Sequence, residues 1–246
     1  MKHIGFIMTG LALSLVAMPL SAKTGAIGGA RVIVNEVTGK LGGDSTTLNR
    51  GDAVFENQLI STGDKSRAEF QFRDKTLLTL GEKSDIRLDA YVYNPRRRTG
   101  RIVINSLKGA FRFVSGSAKK ASYQVKTPIA TIGVRGTIID GYMSPDGLFS
   151  VFLLQQGKMT ACSADACRNV NRTGFYVVVR ADGSISKPQA WKGQIPGVVF
   201  TSRFPAPGGR FYANPFSFKV QGHDSLGEGT GGSRGGGGKG GGSTTR

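Results

Sequence analysis

The sequence has very few residues of the kinds that most often carry out enzyme chemistry. It contains 2 histidines, and these are His3 and His223, close to the two ends of the chain. Without a central histidine, neither a Ser-His-Asp or Cys-His nucleophile nor a histidine metal site can be built. A carboxylate pair for glycoside hydrolysis remains conceivable, but no Asp or Glu stands in a recognisable acid–base pair. We therefore expect a protein that is not an enzyme and has no cofactor or metal.

Long apolar runs are absent after the first residues of the chain. Lys2 is followed by an apolar stretch without charge, and Met18–Ala22 then supplies a proline and small residues. A basic flank, an apolar core and a small-residue exit are typical of a secretory signal. A permanent membrane anchor needs ~20 apolar residues, and this run is shorter and interrupted. We predict cleavage after Ala22, with Ala26 as the alternative site, and a mature protein in the periplasm or beyond.

Cysteine is also scarce, with Cys162 and Cys167 as the two examples. In an exported protein, two cysteines so close together most often form one disulfide. A redox site normally has two intervening residues, and a zinc site needs further cysteine or histidine ligands. We predict a structural disulfide that holds a hairpin loop.

Acidic residues are missing from the whole interval between Asp89 and Asp140, in a chain with a formal charge of +17. Export argues against nucleic acid as the partner of this charge, because lipid headgroups and acidic glycans are the abundant polyanions outside the cytoplasm. Charge alone indicates weak association and solubility. The basic residues predict either a solvated face or a surface for an acidic partner domain or anionic glycan, formed by Arg96, Arg97, Arg98, Arg101, Lys119 and Lys120. The lone Trp191 could stack on a sugar, although a packed aromatic is the simpler interpretation.

Helical periodicity is absent after the apolar N-terminus, and short alternating segments take its place. Polar and apolar residues alternate with a period of two, and Asp-Gly turns such as Asp146-Gly147 and Asp182-Gly183 separate the segments. The predicted strands include 31–35, 68–73, 86–90, 102–105, 111–113, 123–127, 149–154 and 175–180. This spacing predicts an all-β fold, as a β-sandwich, a roll or a β-solenoid-like domain.

The composition predicts three regions. Residues 1–22 are the signal peptide, residues 23–200 form the β domain, and residues 201–246 are a Pro/Gly-rich tail. From residue 222 onwards the chain has no aromatic residue, so it cannot bury enough apolar surface to offset the entropy of ordering. We expect the tail to be disordered.

Several segments in a fixed order resemble the FecR family. The matching segments are Leu48–Asp52, Ile60–Phe70, Phe72–Leu78, Ser84–Leu88 and, as the most specific motif, Thr127–Thr137. Each is weak alone, but together they cover the core of the β domain at about 48–140, with a β continuation over 141–200. At Lys75 the family commonly has glycine, so the geometry of the Asp74-Lys75-Thr76 turn is an open question.

The resemblance implies a periplasmic β module that receives a signal from an outer-membrane transporter and passes it to an anti-sigma system. The apolar segment begins at residue 4, so we expect no cytoplasmic helical domain and no direct contact with a sigma factor. The sequence thus predicts a non-enzymatic interaction or sensory-scaffold module for an envelope protein partner. Binding of an anionic glycan or lipid surface is the alternative, and the sequence leaves the oligomeric state open.

The Thr127–Thr137 motif contains Arg135 in an apolar context, with Gly133 and Gly136 beside it and Thr137 at its end. Arginine in such a context usually needs internal partners. The structural interpretation is a guanidinium held by a carboxylate, where glycines allow close backbone approach; Asp74, Glu69 and Asp140 are the candidates. A ligand or partner contact is the functional alternative.

Overall fold

The computed structural model describes residues 25–118 and 123–193, with the backbone alone at Arg135. The chain divides into two units, residues 1–215 and 216–246, and all the described residues belong to the first. Those residues form strands β1 (Gly28–Val34), β2 (Val37–Leu41), β3 (Asp44–Thr47), β4 (Ala53–Val54), β5 (Leu59–Thr62), β6 (Arg67–Phe72), β7 (Leu77–Leu80), β8 (Asp85–Asn94), β9 (Thr99–Val114), β10 (Tyr123–Thr127), β11 (Ala130–Met143), β12 (Phe149–Cys162), β13 (Cys167–Val170), β14 (Phe175–Arg180) and β15 (Gln189–Ala190).

The all-β fold predicted from the alternating pattern is confirmed. The described residues contain strands and turns and no helix. The predicted strands 123–127 and 175–180 have the same bounds as β10 and β14. Within the described part of the chain, no helix has the length and apolar content that a membrane crossing requires.

The strands form one hydrogen-bonded sheet that divides into two layers. The first layer runs β4-β1-β6-β7-β9-β11-β12-β14-β15, and the second runs β3-β2-β5-β8-β9-β10-β11-β12-β13. Strands β9, β11 and β12 belong to both layers. The N-terminal part of β9 pairs with β8 and β10, whereas its C-terminal part pairs with β7 and β11.

The two layers pack face to face around a shared hydrophobic core. Phe70, Phe111 and Phe152 come from the first layer, and Ile86 and Val125 come from the second. All five side chains are fully buried. This packing makes the domain a β-sandwich, which decides between the architectures that the sequence left open.

Each long strand contains a glycine with positive φ where it passes from one layer to the other. These are Gly109 (φ 84), Gly136 (φ 61) and Gly157 (φ 87). Glycine adopts this conformation without steric cost. The sequence predicted two short strands, 102–105 and 111–113, where the structure has the single strand β9 bent at Gly109. The break predicted between the two segments is therefore a bend within one strand.

Three tight turns place a lysine, not a glycine, in the left-handed region. Each has an acidic residue before the lysine and a hydroxyl residue after it, and the lysines are Lys65 (φ 51), Lys75 (φ 68) and Lys83 (φ 52). The Thr76 hydroxyl donates to the Asp74 carboxylate at 2.7 Å. The turn at Lys75 therefore keeps a left-handed residue although the position carries a side chain.

The predicted disulfide between Cys162 and Cys167 is confirmed. Cys162 ends β12, Cys167 begins β13, and the two residues are directly opposite each other in the antiparallel ladder. The bond closes the β12–β13 hairpin, as the spacing indicated.

Candidate functional site

The turn between β8 and β9 carries three consecutive exposed arginines, Arg96, Arg97 and Arg98. The backbone N–H of Arg97 donates to the Asn94 side-chain oxygen at 3.1 Å, which holds the turn to the end of β8. Arg98 has a φ of 50°. A left-handed conformation at a residue with a long side chain is uncommon and costs free energy. The turn thus holds three guanidinium groups at one end of the sandwich.

The opposite wall of the site comes from the other end of the same strand. A straight strand with the 16 residues of β9 would span ~50 Å. The Arg98 Nε nevertheless donates to the Ser117 carbonyl at 2.9 Å. The bend at Gly109 carries β9 from one layer to the other, so both of its ends reach the same region. Residues 115–118 therefore face the arginine turn.

A cavity of about 600 Å³ lies between these walls. The lining residues are Arg96, Arg97, Arg98, Ser115, Gly116, Ser117, Ala118, Tyr123 and Gly136. No acidic side chain is among these described lining residues. We call this site the arginine cavity; it joins three predicted basic residues to the glycine of the Thr127–Thr137 motif.

The buried Asp74 fixes the wall and the floor of the arginine cavity. Its carboxylate accepts hydrogen bonds from the Tyr123 hydroxyl at 2.7 Å and from the Tyr91 hydroxyl at 3.3 Å. Its carbonyl accepts from the Ser117 backbone N–H at 2.8 Å and from the Ser117 hydroxyl at 2.9 Å. Buried polar groups that are fully satisfied in this way make a local structure rigid. The cavity is therefore built on a preformed base.

Burial, followed by the neighbouring Asp74 carboxylate, raises the pKa of Tyr91 and of Tyr123 well above the usual value for tyrosine. Both effects disfavour a phenolate anion. The two hydroxyls therefore keep their protons at ordinary pH, and both remain donors to Asp74.

The family model described as FecR protein matches residues 58–155. The chain carries a FecR domain. The match contains every residue that lines the arginine cavity. It also contains Asp74 and both of its tyrosine partners.

Two crystal structures of a candidate anti-sigma factor from Parabacteroides distasonis are similar to this chain. Each shares 15% sequence identity with a TM-score of 0.43, and the alignment covers 54% of this chain and 60% of the other. This chain thus aligns with less than two thirds of those proteins. No curated protein matches the chain at a significant level.

Gly133 and Gly136 were predicted to allow close backbone approach in the motif, and the structure shows a different role. A Cβ added at Gly133 or Gly136 would meet no described atom within 4 Å, so close backbone approach is not what these positions require. Gly136 is needed for its left-handed conformation. The close approach is at Gly157, where an added Cβ would collide with the Gly136 carbonyl oxygen.

Thr137, in β11, bonds to β12 and to the segment that follows β9. Its hydroxyl donates to the Lys158 carbonyl at 2.9 Å, and its backbone N–H donates to the Ser115 hydroxyl at 2.8 Å. The end of the motif thereby ties β12 to the residues that follow β9, which form the cavity wall.

Some predicted site residues lie outside the described part of the chain. These are Lys119, Lys120 and the side chain of Arg135. Of the candidate partners of Arg135, Glu69 contacts Arg31 at 3.4 Å and Asp140 contacts Arg112. The internal partnership of Arg135 stays a prediction. Arg101 is exposed on β9 but does not line the arginine cavity.

The place of Arg112 in the basic interval suggested a solvated face, but the structure shows that Arg112 is buried. It is 7% exposed, and its guanidinium makes a forked pair with the Asp140 carboxylate at 2.5 and 2.6 Å. Burial alone would lower the pKa of Arg112, but the hydrogen bonds and charge of Asp140 raise it above its usual value. The alternation in Phe111-Arg112-Phe113 correctly predicts that Arg112 points away from the shared core. The sequence did not reveal that this second face is buried as well.

Trp191 is packed, which confirms the simpler interpretation of this residue. It is 8% exposed, and its ring meets the Tyr176 ring edge-on with the centroids 5.8 Å apart. Across residues 25–118 and 123–193, no three His, Cys, Asp or Glu side chains gather into a group that could hold a metal ion.

Proposed function

We propose that this protein is an exported, non-enzymatic regulatory or sensory module. Its FecR domain binds an acidic segment of an envelope protein at the arginine cavity. The observation that supports the proposal is the cavity itself, where the exposed Arg96, Arg97 and Arg98 open onto about 600 Å³ of space.

The chemistry of arginine favours a carboxylate partner. A guanidinium presents a rigid fork of donors that matches a carboxylate with two parallel hydrogen bonds. The cavity volume falls in the range of specific ligand sites, so it can take more than one side chain of an acidic peptide. Because Asp74 and its partners preform the base, binding would lose less free energy to the ordering of the site.

Export is proposed from the N-terminal signal, which lies outside the described residues. The mature protein would then begin at Lys23 in the periplasm. The Cys162–Cys167 disulfide supports this location, because disulfides persist in oxidising compartments.

Direct binding of an anionic envelope glycan is the second candidate, and the same exposed arginines favour it. A flexible polyanion would respond to the total positive charge and to salt, since exposed charges separated by more than the Debye length of ~10 Å at 0.1 M are screened. A protein segment seated in the cavity would depend instead on the three arginines at that place.

The test compares two triple variants that lose the same charge. Arg96, Arg97 and Arg98 are replaced by Ala in one, and the exposed Lys40, Arg50 and Arg180, which do not line the cavity, are replaced by Ala in the other. A photocrosslinking amino acid at Thr99, the first residue of β9, reports partner contacts in intact cells. Binding of the purified mature proteins to envelope polysaccharide is measured in parallel, at low and moderate salt.

We expect one discrete protein crosslink that the cavity variant loses by at least about tenfold and the control variant keeps; loss of one or two buried charge-assisted contacts is of this size or larger. Equal loss of polysaccharide binding in both variants, without a discrete protein crosslink, would overturn the protein-partner proposal in favour of the glycan. Full retention of the crosslink in the cavity variant would show that the cavity is not the binding site.

A further inference from the structure

Gly133, which does not line the arginine cavity, is the one glycine in the described strands that the fold itself does not explain. Each of the other glycines in these strands has either positive φ or an atom within 4 Å of an added Cβ. Gly133 has neither, and it is exposed. It lies inside β11, between β10 and β12. A glycine inside a strand weakens the strand and often marks a place where a ligand approaches the backbone closely.

The surface around Gly133 is the outward side of the second layer. Ile132 and Val134 enter the shared core, so Gly133 points away from it. The residues level with Gly133 on the neighbouring strands are Gln124 of β10, Thr160 of β12 and, beyond Thr160, Asn169 of β13. Gln124 and Asn169 are exposed, and Thr160 is half-buried. These positions form a polar row across four strands, ~14 Å wide.

Two lysines flank this row at diagonal positions. Lys126 of β10 is level with the position two residues before Gly133, and Lys158 of β12 is level with the position two residues after it. Strand geometry places the two lysines ~16 Å apart. Strands β9, β10, β12 and β13 contain no Asp or Glu, and Asp140 of β11 lies in the first layer. The net charge here is therefore positive. We call this surface the Gly133 face, and its members are Gln124, Lys126, Gly133, Lys158, Thr160 and Asn169.

The chemistry of the Gly133 face fits a carbohydrate chain better than a protein. The cores of protein interfaces are rich in aromatic residues and poor in lysine, whereas this face presents lysines, amides and a hydroxyl around a bare backbone. Amide side chains both donate and accept hydrogen bonds, as sugar hydroxyls do. The Thr160 hydroxyl donates to the Asn169 side-chain oxygen at 2.8 Å, which leaves the Asn169 Nδ2 to donate to other acceptors. The lysines favour a chain with negative charge.

We propose that the Gly133 face binds an extended polysaccharide that carries carboxylate groups, such as a chain of uronic acids. A sugar ring lies against the backbone of Gly133, and the amides of Gln124 and Asn169 bond its hydroxyls. Lys126 and Lys158 pair with carboxylates on either side of that ring. The polysaccharide site is thus on β10–β13 and not at the three arginines, so this inference does not depend on what binds at the arginine cavity.

The variant Gly133→Val separates binding from stability. Valine favours strands and would meet no described atom at its Cβ, so the urea midpoint of the mature protein should stay the same or rise. The new side chain should hold a sugar ring off the backbone and weaken binding by at least about tenfold. Ser45→Val, at an exposed position of β3, is the matched control and should leave the affinity unchanged. Calorimetry measures the affinity for polygalacturonate, with uncharged dextran as the reference.

A second variant, Lys126→Gln with Lys158→Gln, tests the charge and should weaken binding of polygalacturonate by about fivefold or more. The triple alanine variant of the arginine cavity should keep most of its affinity at ~0.1 M salt, where distant charges are screened. Undiminished binding by Gly133→Val, equal binding of dextran and polygalacturonate, or no binding of polygalacturonate by the unaltered protein would each overturn the proposal. Loss of the protein crosslink in Gly133→Val would also overturn it, because a protein would then occupy the face.

Discussion

At the scale of single residues, side chains occupy left-handed positions that glycine would fill with less strain. Lys75 is the clearest example, because the FecR pattern commonly has glycine at this turn and Lys75 has a φ of 68°. A left-handed conformation costs a residue with a Cβ about 1–2 kcal/mol, whereas glycine loses more backbone entropy on folding. The difference should leave glycine more favourable here.

We predict that Lys75→Gly raises the free energy of unfolding by about 0.5–1 kcal/mol. The Lys75 backbone N–H donates to the Phe72 carbonyl, and this bond is kept in the variant. Urea unfolding of the mature protein measures the change. Lys40→Gly, at an exposed position of β2, is the control and should lower stability by about 0.5–1 kcal/mol. A loss of stability in both variants would contradict the argument.

At the scale of the strand, the long strands β9, β11 and β12 each bend at a glycine where they pass from one layer to the other. Gly157 in β12 has positive φ and faces the Gly136 carbonyl of β11. Two independent constraints, backbone conformation and lack of space, therefore act on one position. Gly174 also has positive φ, at 78°, but a Cβ there would meet no described atom within 4 Å.

This contrast separates the two constraints by experiment. Gly174→Ala should lower the free energy of unfolding by about 1 kcal/mol, because only the backbone conformation is strained. Gly157→Ala should lower it by about 3 kcal/mol or more, because the collision with the backbone adds to that strain. Denaturant unfolding monitored by circular dichroism gives both values. Similar losses for the two variants would mean that β11 and β12 move apart at low cost.

At the scale of the whole molecule, the two layers share three strands. Because β9, β11 and β12 each contribute to both layers, neither layer can separate without breaking strands of the other. The described domain should therefore unfold as one cooperative unit. Trp191 is the only tryptophan in the sequence and packs edge-on against Tyr176 of β14, so its fluorescence reports on the β14–β15 side of the first layer.

We predict that Trp191 fluorescence and far-ultraviolet circular dichroism give the same urea midpoint for the oxidised mature protein. Coincident transitions are the standard sign of two-state unfolding. A fluorescence change at lower urea than the circular dichroism change would show that the β14–β15 side of the first layer opens on its own. The disulfide variant Cys162→Ser with Cys167→Ser should shift both midpoints together, with a loss of about 2 kcal/mol.

Much of the candidate site was visible in the sequence as separate parts. Arg96, Arg97 and Arg98 were found through the missing acidic residues, and Gly136 was found through the FecR motif. Their meeting in one cavity was not visible, because it depends on the bend of β9 at Gly109. Asp74 and its two tyrosines were missed as a group, since the members are far apart in the sequence and each pattern alone fits an ordinary strand or turn.

The sequence by itself determined the features that depend on neighbouring residues. Alternation gave the all-β class, the close spacing of Cys162 and Cys167 gave the disulfide, and the ordered motifs gave the FecR resemblance. The tertiary structure alone decided the sandwich, the buried Arg112–Asp140 pair and the arginine cavity. These features depend on which faces of distant strands meet. A period of two in the sequence shows that a strand has two different faces, but it does not show what covers each face.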